Sequence, residues 1–238
     1  MFVLVHGAWH GRWCWEAVQT CLDDLGLQSI SVDLPGRGDD TRRWSSLTLA
    51  DYTDTVIAAV ESAGEPVTLV GHSLGGLTVS QVAERVPDKL SSLVYLAAML
   101  LKDGQSTVEV ATSDTDSELM TNISLDESGE ASTVAAGAAP RLFFGDCTKE
   151  VSDAATARLV PEPIVPSSTP VQVTPGGWGA VPRSYIVCEQ DLAITPAAQR
   201  AMIAAVGVDR TVEMQSGHSP FLSQPAQLAD ILVALASS

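Results

Sequence analysis

Six short apolar runs alternate along this chain with segments of helical period: Phe2 to Val5, Ser29 to Leu34, Val67 to Val70, Leu93 to Ala97, Tyr185 to Cys188 and Thr211 to Met214. A strand with one wet face alternates apolar and polar residues, whereas most of these runs read as continuous Val, Leu and Ile. That pattern suits a mostly parallel sheet of about six strands, with crossover helices covering both faces. The expected class is therefore α/β, and 238 residues fit one core carrying an insertion. Thr48 with Asp51 makes a capping-box pattern ahead of Tyr52, Val56, Ala59 and Val60, and Gly64 stops that helix. A last helix starts near Pro225, presents Leu228, Ile231, Leu232 and Leu235 on one face, and is expected to close the final edge of the sheet.

The alternation breaks between about Lys102 and Pro182, where Ser, Thr, Ala, Gly and Pro dominate. This divides the chain into a core of residues 1–102 and 183–238 and an insertion of residues 103–182. Within the insertion, Glu150 to Leu159 reads as a helix, and Pro161, Pro163, Pro166, Pro170 and Pro175 prevent long regular elements after it. The carboxylates Asp114, Asp116 and Glu118 read as a solvated face, because their spacing is too loose for a calcium loop.

Charge narrows the partners. Thirteen Lys plus Arg against 29 Asp plus Glu leave a formal charge of −16, a surface that repels phosphate backbones and anionic headgroups. Nucleic acid and membrane partners are not expected, and a monomer or homodimer is. The longest apolar stretch, Leu93 to Leu101, has nine residues, against about 20 for a membrane-spanning helix. No basic and then apolar leader precedes the first strand. Cys14, Cys21, Cys147 and Cys188 form no CxxC pair and have no zinc-like spacing to His, so they read as buried thiols in a reducing, cytoplasmic compartment. No metal or other cofactor is expected.

The chemistry concentrates in VTLVGHSLGGL, where Ser73 sits in a GxSxG motif directly after a buried strand and before the helical pattern Leu74 to Val86. Gly71 and Gly75 remove side chains where strand and helix approach, so a sharp turn can present the Ser73 hydroxyl in a strained backbone. A serine hydroxyl needs an adjacent base. Of the four histidines, His6 and His10 flank the first strand turn, and His72 is the variable residue of the motif and should point away. His218, in SGHSP after the last strand, is the candidate base, on a loop at a strand's carboxyl end where such sheets place their sites. Asp191, after YIVC, is the candidate acid, with Asp103 in reserve. An oxyanion needs donors, and the N–H groups of Leu74 and of Ala8, in the turn VHGAWHG, are placed to supply them. His6 and His10 lack the helix and following Glu of a zinc motif.

With HGAWHG, GHSLGG, CEQD and GHS in this order, the whole chain resembles the α/β-hydrolase superfamily. The resemblance is to the branch of plant methylesterases, hydroxynitrile lyases and small bacterial carboxylesterases. It implies Ser73, Asp191 and His218 as a triad, Ala8 and Leu74 as the oxyanion hole, and a largely helical cap inserted before the acid strand. It also implies a serine esterase acting on a small-molecule ester. The lyases carry Thr where Gly7 stands and Lys where Ser219 stands, so ester hydrolysis is favoured over cyanohydrin cleavage. A slow-turnover, receptor-like binding protein of the same fold is the other alternative. Substrate contacts are expected from Trp9, His10, Phe144, Trp178 and Ile194, whose apolar character suits small uncharged aryl, methyl or short-chain esters.

Overall fold

The computed structural model describes residues 1–38, 40–135 and 137–236. In chain order the core elements are β1 (Phe2–Val5), α1 (Glu16–Asp24), β2 (Ser29–Val32), α2 (Leu49–Ser62), β3 (Val67–His72), α3 (Gly75–Arg85) and β4 (Leu90–Leu96). The stretch up to the next core strand holds α4 (Thr107–Ser113), β5 (Ile123–Leu125), β6 (Ala131–Val134), α5 (Ala139–Phe144), α6 (Lys149–Thr156), β7 (Glu162–Pro163) and α7 (Ile164–Ser168). The core resumes with β8 (Arg183–Cys188), α8 (Pro196–Val206), β9 (Arg210–Met214), α9 (Pro220–Ser223) and α10 (Pro225–Ala236).

The main sheet has the order β2-β1-β3-β4-β8-β9, and every neighbouring pair is parallel. Its strands read as unbroken apolar runs because successive side chains enter two different cores. Phe2 and Leu4 of β1 pack with Leu22 of α1 and with Leu228 and Leu232 of α10. Val3 and Val5 pack on the opposite face with Val56 and Val60 of α2 and Val79 and Val82 of α3. The α2 capping box forms as the sequence implies. Thr48 Oγ1 accepts from the Asp51 N–H at 3.2 Å, and the Asp51 carboxylate accepts from the Thr48 N–H at 2.9 Å, an arrangement that stabilises the helix by about 1 kcal/mol.

Element ends shift where side chains compete for the backbone. β2 stops at Val32, because the Asp33 carboxylate caps the Arg12 N–H at 2.6 Å and the Leu34 N–H donates to His6 Nε2 at 3.1 Å. β4 begins at Leu90, earlier than its apolar run, since Ser92 pairs with Thr68 across the sheet at 3.1 Å between hydroxyls. The last helix does not close the sheet edge. α10 instead lies against α1 and β4, burying Leu228, Leu232 and Leu235 and leaving Ile231 partly covered.

The insertion is less helical than expected. β5, β6 and β7 form a separate antiparallel sheet. Its strands are only two to four residues long and carry little apolar signal, and a turn fixes their register. The Asp126 carboxylate accepts from the Ala131 N–H at 3.0 Å, and Gly129 takes a φ of 71°. The acidic cluster is also only partly a solvated face. Asp114 caps α8 through the Thr195 N–H at 2.9 Å and hydroxyl at 2.8 Å, and Glu118 pairs with Arg141, while Asp116 remains exposed. All four cysteines are free thiols, with Cys14 and Cys188 buried and Cys21 and Cys147 half-buried. Among the described residues no helix is long and apolar enough to cross a membrane.

Candidate active site

Ser73 occupies the turn between β3 and α3 at a φ of 52°, a left-handed conformation that costs an L residue about 1 kcal/mol or more. The surroundings hold it there. Its N–H donates to Leu96 O at 3.2 Å, and its carbonyl accepts from the N–H groups of Met99 at 3.0 Å and Gly76 at 3.1 Å. The turn after β1 presses against it so closely that a Cβ on Gly7 would stand 2.6 Å from Ser73 Cβ. A Cβ on Gly75 would meet His6 O at 2.8 Å, so this glycine serves the approach of the β1 turn rather than only the strand-to-helix bend.

Asp191 follows β8 and His218 follows β9, and both are 2% exposed. His218 Nδ1 meets Asp191 Oδ2 at 2.7 Å. The carboxylate is held from its other sides by the N–H groups of Ala193 at 2.7 Å and Ile194 at 3.0 Å and by Gln199 Nε2 at 3.2 Å. The reserve acid, Asp103, lies elsewhere and accepts from the Val173 N–H at 3.0 Å. His72 does not point away as the motif suggested. Its Nε2 donates to the His218 carbonyl at 2.9 Å, and the two rings lie 4.6 Å apart between centroids. That contact brings the His218 imidazole beside the residue preceding Ser73. The Nδ1 side of His218 is engaged by Asp191, while no hydrogen bond joins its Nε2 to Ser73 Oγ among the described residues, a contact that often tightens only around substrate.

The other histidines are structural donors. The Leu34 N–H donates to His6 Nε2, which places the His6 proton on Nδ1, 2.8 Å from Gly7 O. His10 Nδ1 lies 2.8 Å from Ala8 O. Burial holds His6 and His72 well below the usual histidine range and pushes His10 down to about 3. These folded-state values lie below the unfolded one, so the stability they carry is complete above about pH 6.5 and is lost as pH falls toward the folded values. Three such groups give a slope of up to about 4 kcal/mol per pH unit. The melting temperature should therefore fall between about pH 6.5 and 5.5, above the range where most unfolded carboxylates titrate. A melting temperature that stays level across that window in calorimetry would contradict the assignment.

A cavity of about 370 Å³ opens over Ser73. Ala8, Trp9, Leu74, Met99 and Ile194 line it from the core, and Leu119, Met120 and Ile123 do so from the insertion. Ala8 and Leu74 thus flank Ser73 at the cavity floor, and among the described residues no protein acceptor occupies either N–H. Three expected substrate contacts fall outside this wall. His10 is buried beneath it, edge-on to Phe143 and Phe144 at 5.6 and 5.7 Å. Phe144 is core for the same reason. Trp178 donates through Nε1 to the Tyr95 hydroxyl at 2.8 Å, with the Arg183 guanidinium stacked 3.8 Å from its ring, so it braces β4 and β8 instead of lining the cavity. Large apolar residues in a sequence are more often core than lining, and these three had no neighbour pattern to mark them.

Glu162 was missed. It lines the cavity from β7, yet it is 1% exposed and ion-paired with Arg37. Tyr52 donates to its Oε1 at 2.8 Å, and the Trp9 N–H donates to its Oε2 at 3.1 Å. A glutamate in a proline-rich stretch gives no local signal of burial. The nearest available hint was the lone Arg37 in PGRG, a cation that requires a partner if the fold buries it.

A parallel sheet with a strained serine turn after β3, a carboxylate after β8 and an imidazole after β9 defines a hydrolase of the α/β type. The chain belongs to the alpha/beta hydrolase family, whose sequence profile matches residues 2–231. It is 35% identical over 263 residues to Methylesterase 2 of Arabidopsis thaliana, with 100% of this chain and 96% of that protein covered. Putative methylesterase 13, chloroplastic, from the same plant is 33% identical over 244 residues; the match takes in 98% of this chain but only 55% of that longer protein. Among solved structures, a pyrethroid hydrolase from Sphingobium faniae JZ-2 superposes with a TM-score of 0.89 at 27% identity, covering 100% of this chain and 97% of that one. These similarities place the chain among the carboxylic ester hydrolases.

Proposed function

We propose that this protein is a serine carboxylesterase that hydrolyses small, uncharged esters through an acyl-enzyme. The observation that carries this reading is Ser73 lining an apolar cavity, next in sequence to His72, whose ring contacts an imidazole already paired with a buried carboxylate. In the proposed reaction His218 Nε2 takes the Ser73 proton as Oγ attacks the ester carbonyl, and the Ala8 and Leu74 N–H groups hold the oxyanion. The imidazolium, stabilised by Asp191, then gives the proton to the departing alcohol. Water, deprotonated by the same ring, releases the acid and restores Ser73. In this reading the insertion acts as the cap that shapes substrate choice. Among the described lining residues the charged side chain is Glu162, and Arg37 already neutralises it, so a charged acyl group finds no partner there. The relative named a methylesterase and the neighbour named a pyrethroid hydrolase support ester hydrolysis as the reaction.

The test is a panel of p-nitrophenyl and methyl esters of graded acyl size, assayed at steady state and with a phosphonate that labels active serines. Steady release from the short and aryl esters, with the label on Ser73, is the expected result. Cyanide release from mandelonitrile without ester turnover would assign a lyase. A single burst of one equivalent with no further turnover would assign a binding protein.

A further inference from the structure

Two consecutive peptide groups aim the proposed oxyanion donor, and both are pinned from behind. In a trans peptide the carbonyl and the following N–H point in opposite directions. The Gly7 carbonyl is held by His6 Nδ1 at 2.8 Å, so the Ala8 N–H on the same peptide faces the other way. The next peptide is gripped at both ends. Its carbonyl, Ala8 O, is held by His10 Nδ1 at 2.8 Å, and its N–H, on Trp9, is held by Glu162 Oε2 at 3.1 Å. Trp9 itself sits at a φ of 60°, a conformation that relaxes unless something enforces it. His6 and His10 belong to the turn they hold. Glu162 comes from β7, more than 150 residues away along the chain.

We infer that Glu162 is a positioning residue for catalysis, in which a carboxylate from the inserted segment fixes the Ala8–Trp9 peptide and thereby the direction of the Ala8 N–H. Arg37 holds that carboxylate in place. Its guanidinium pairs with Glu162 and also donates to His10 O at 2.9 Å and Pro35 O at 3.1 Å, tying the clamp to the same turn. Tyr52 holds the other carboxylate oxygen, with no contact to the Trp9 N–H. Because an oxyanion donor acts on charge that exists only in the transition state, loosening the clamp lowers kcat and leaves KM nearly unchanged. The inference rests on the serine esterase reading above.

Glu162→Asp is the informative variant. It keeps the charge that Arg37 requires, but it is one methylene too short to reach both Arg37 and the Trp9 N–H. We expect kcat on a p-nitrophenyl ester to fall at least about tenfold with KM within about threefold, since losing a whole donor costs about 10²–10³. The inhibition constant of an aryl boronic acid, which mimics the tetrahedral oxyanion, should rise by the same factor. Glu162→Gln, which can still accept from Trp9, should recover most of kcat despite a lower melting temperature. A Glu162→Asp enzyme that is folded by circular dichroism and retains kcat and boronate affinity would overturn the inference. If turnover proves independent of Ser73, the esterase reading fails and takes this inference with it. If turnover depends on Ser73 and Glu162→Asp is silent, the inference alone fails.

Discussion

Ser73→Ala is expected to lower kcat on a p-nitrophenyl ester by about 10⁴- to 10⁶-fold, with KM and melting temperature close to those of the parent enzyme. The size of the effect follows from the chemistry. Without Oγ no acyl-enzyme forms, and what survives is water attack helped by the oxyanion donors and by substrate placement. The small effect on stability follows from the geometry. What Ser73 contributes to the turn is its main chain, bonded to Leu96, Met99 and Gly76, and alanine keeps those bonds at the same positive φ. Steady-state assays at high enzyme concentration, with the same purification of both proteins, measure the ratio. Retention of more than about one hundredth of the turnover would remove Ser73 from the nucleophile's role.

Asp191→Asn should cost about 10⁴ in kcat, and the reason is a proton in the wrong place. Asp191 Oδ1 accepts two backbone N–H groups, from Ala193 and Ile194, so the amide oxygen of an asparagine must occupy that side. Its NH₂ then faces His218 Nδ1 where Oδ2 stood at 2.7 Å. A donor there forces Nδ1 to accept, the ring carries its proton on Nε2, and Nε2 can no longer take the proton of Ser73. The NH₂ also confronts Gln199 Nε2, 3.2 Å away in the parent, which must turn over to present its oxygen. Activity that recovers at high pH would fit this account, because hydroxide can replace the lost base. A loss smaller than about tenfold in kcat/KM at pH 7 would show that the carboxylate is dispensable.

The sheet was legible because each strand feeds two cores, so burial on both faces writes itself into the sequence as a run of Val and Leu. The elbow and its partners were legible for a related reason: a serine between two glycines, after a strand and before a helix, suits little besides a tight turn that presents a hydroxyl. The insertion was not. β5 (Ile-Ser-Leu) and β6 (Ala-Ser-Thr-Val) are too short to show a period and are held by the Asp126 turn, so their pairing depends on contacts that no local pattern reports. His72 was misjudged because a sequence position inside a motif says nothing about a loop folding back over it from β9. Trp9 and Ile194 reach the cavity whereas His10, Phe144 and Trp178 do not, and aromatic character alone could not separate them. Glu162 illustrates the same limit, since its partners Arg37, Tyr52 and Trp9 all lie more than 100 residues earlier in the chain.

The order of the strands has a consequence in time. In the proposed mechanism the attacking hydroxyl and both oxyanion donors lie ahead of residue 75, while the carboxylate follows β8, which joins the sheet through β4, and the imidazole follows β9, which joins it through β8. A chain growing from its amino end on the ribosome therefore contains Ser73 long before the proposed base, His218, has been made. On the proposed mechanism, reactivity would wait for the final strands to dock, so a half-made copy would lack the acid and base that the reaction needs.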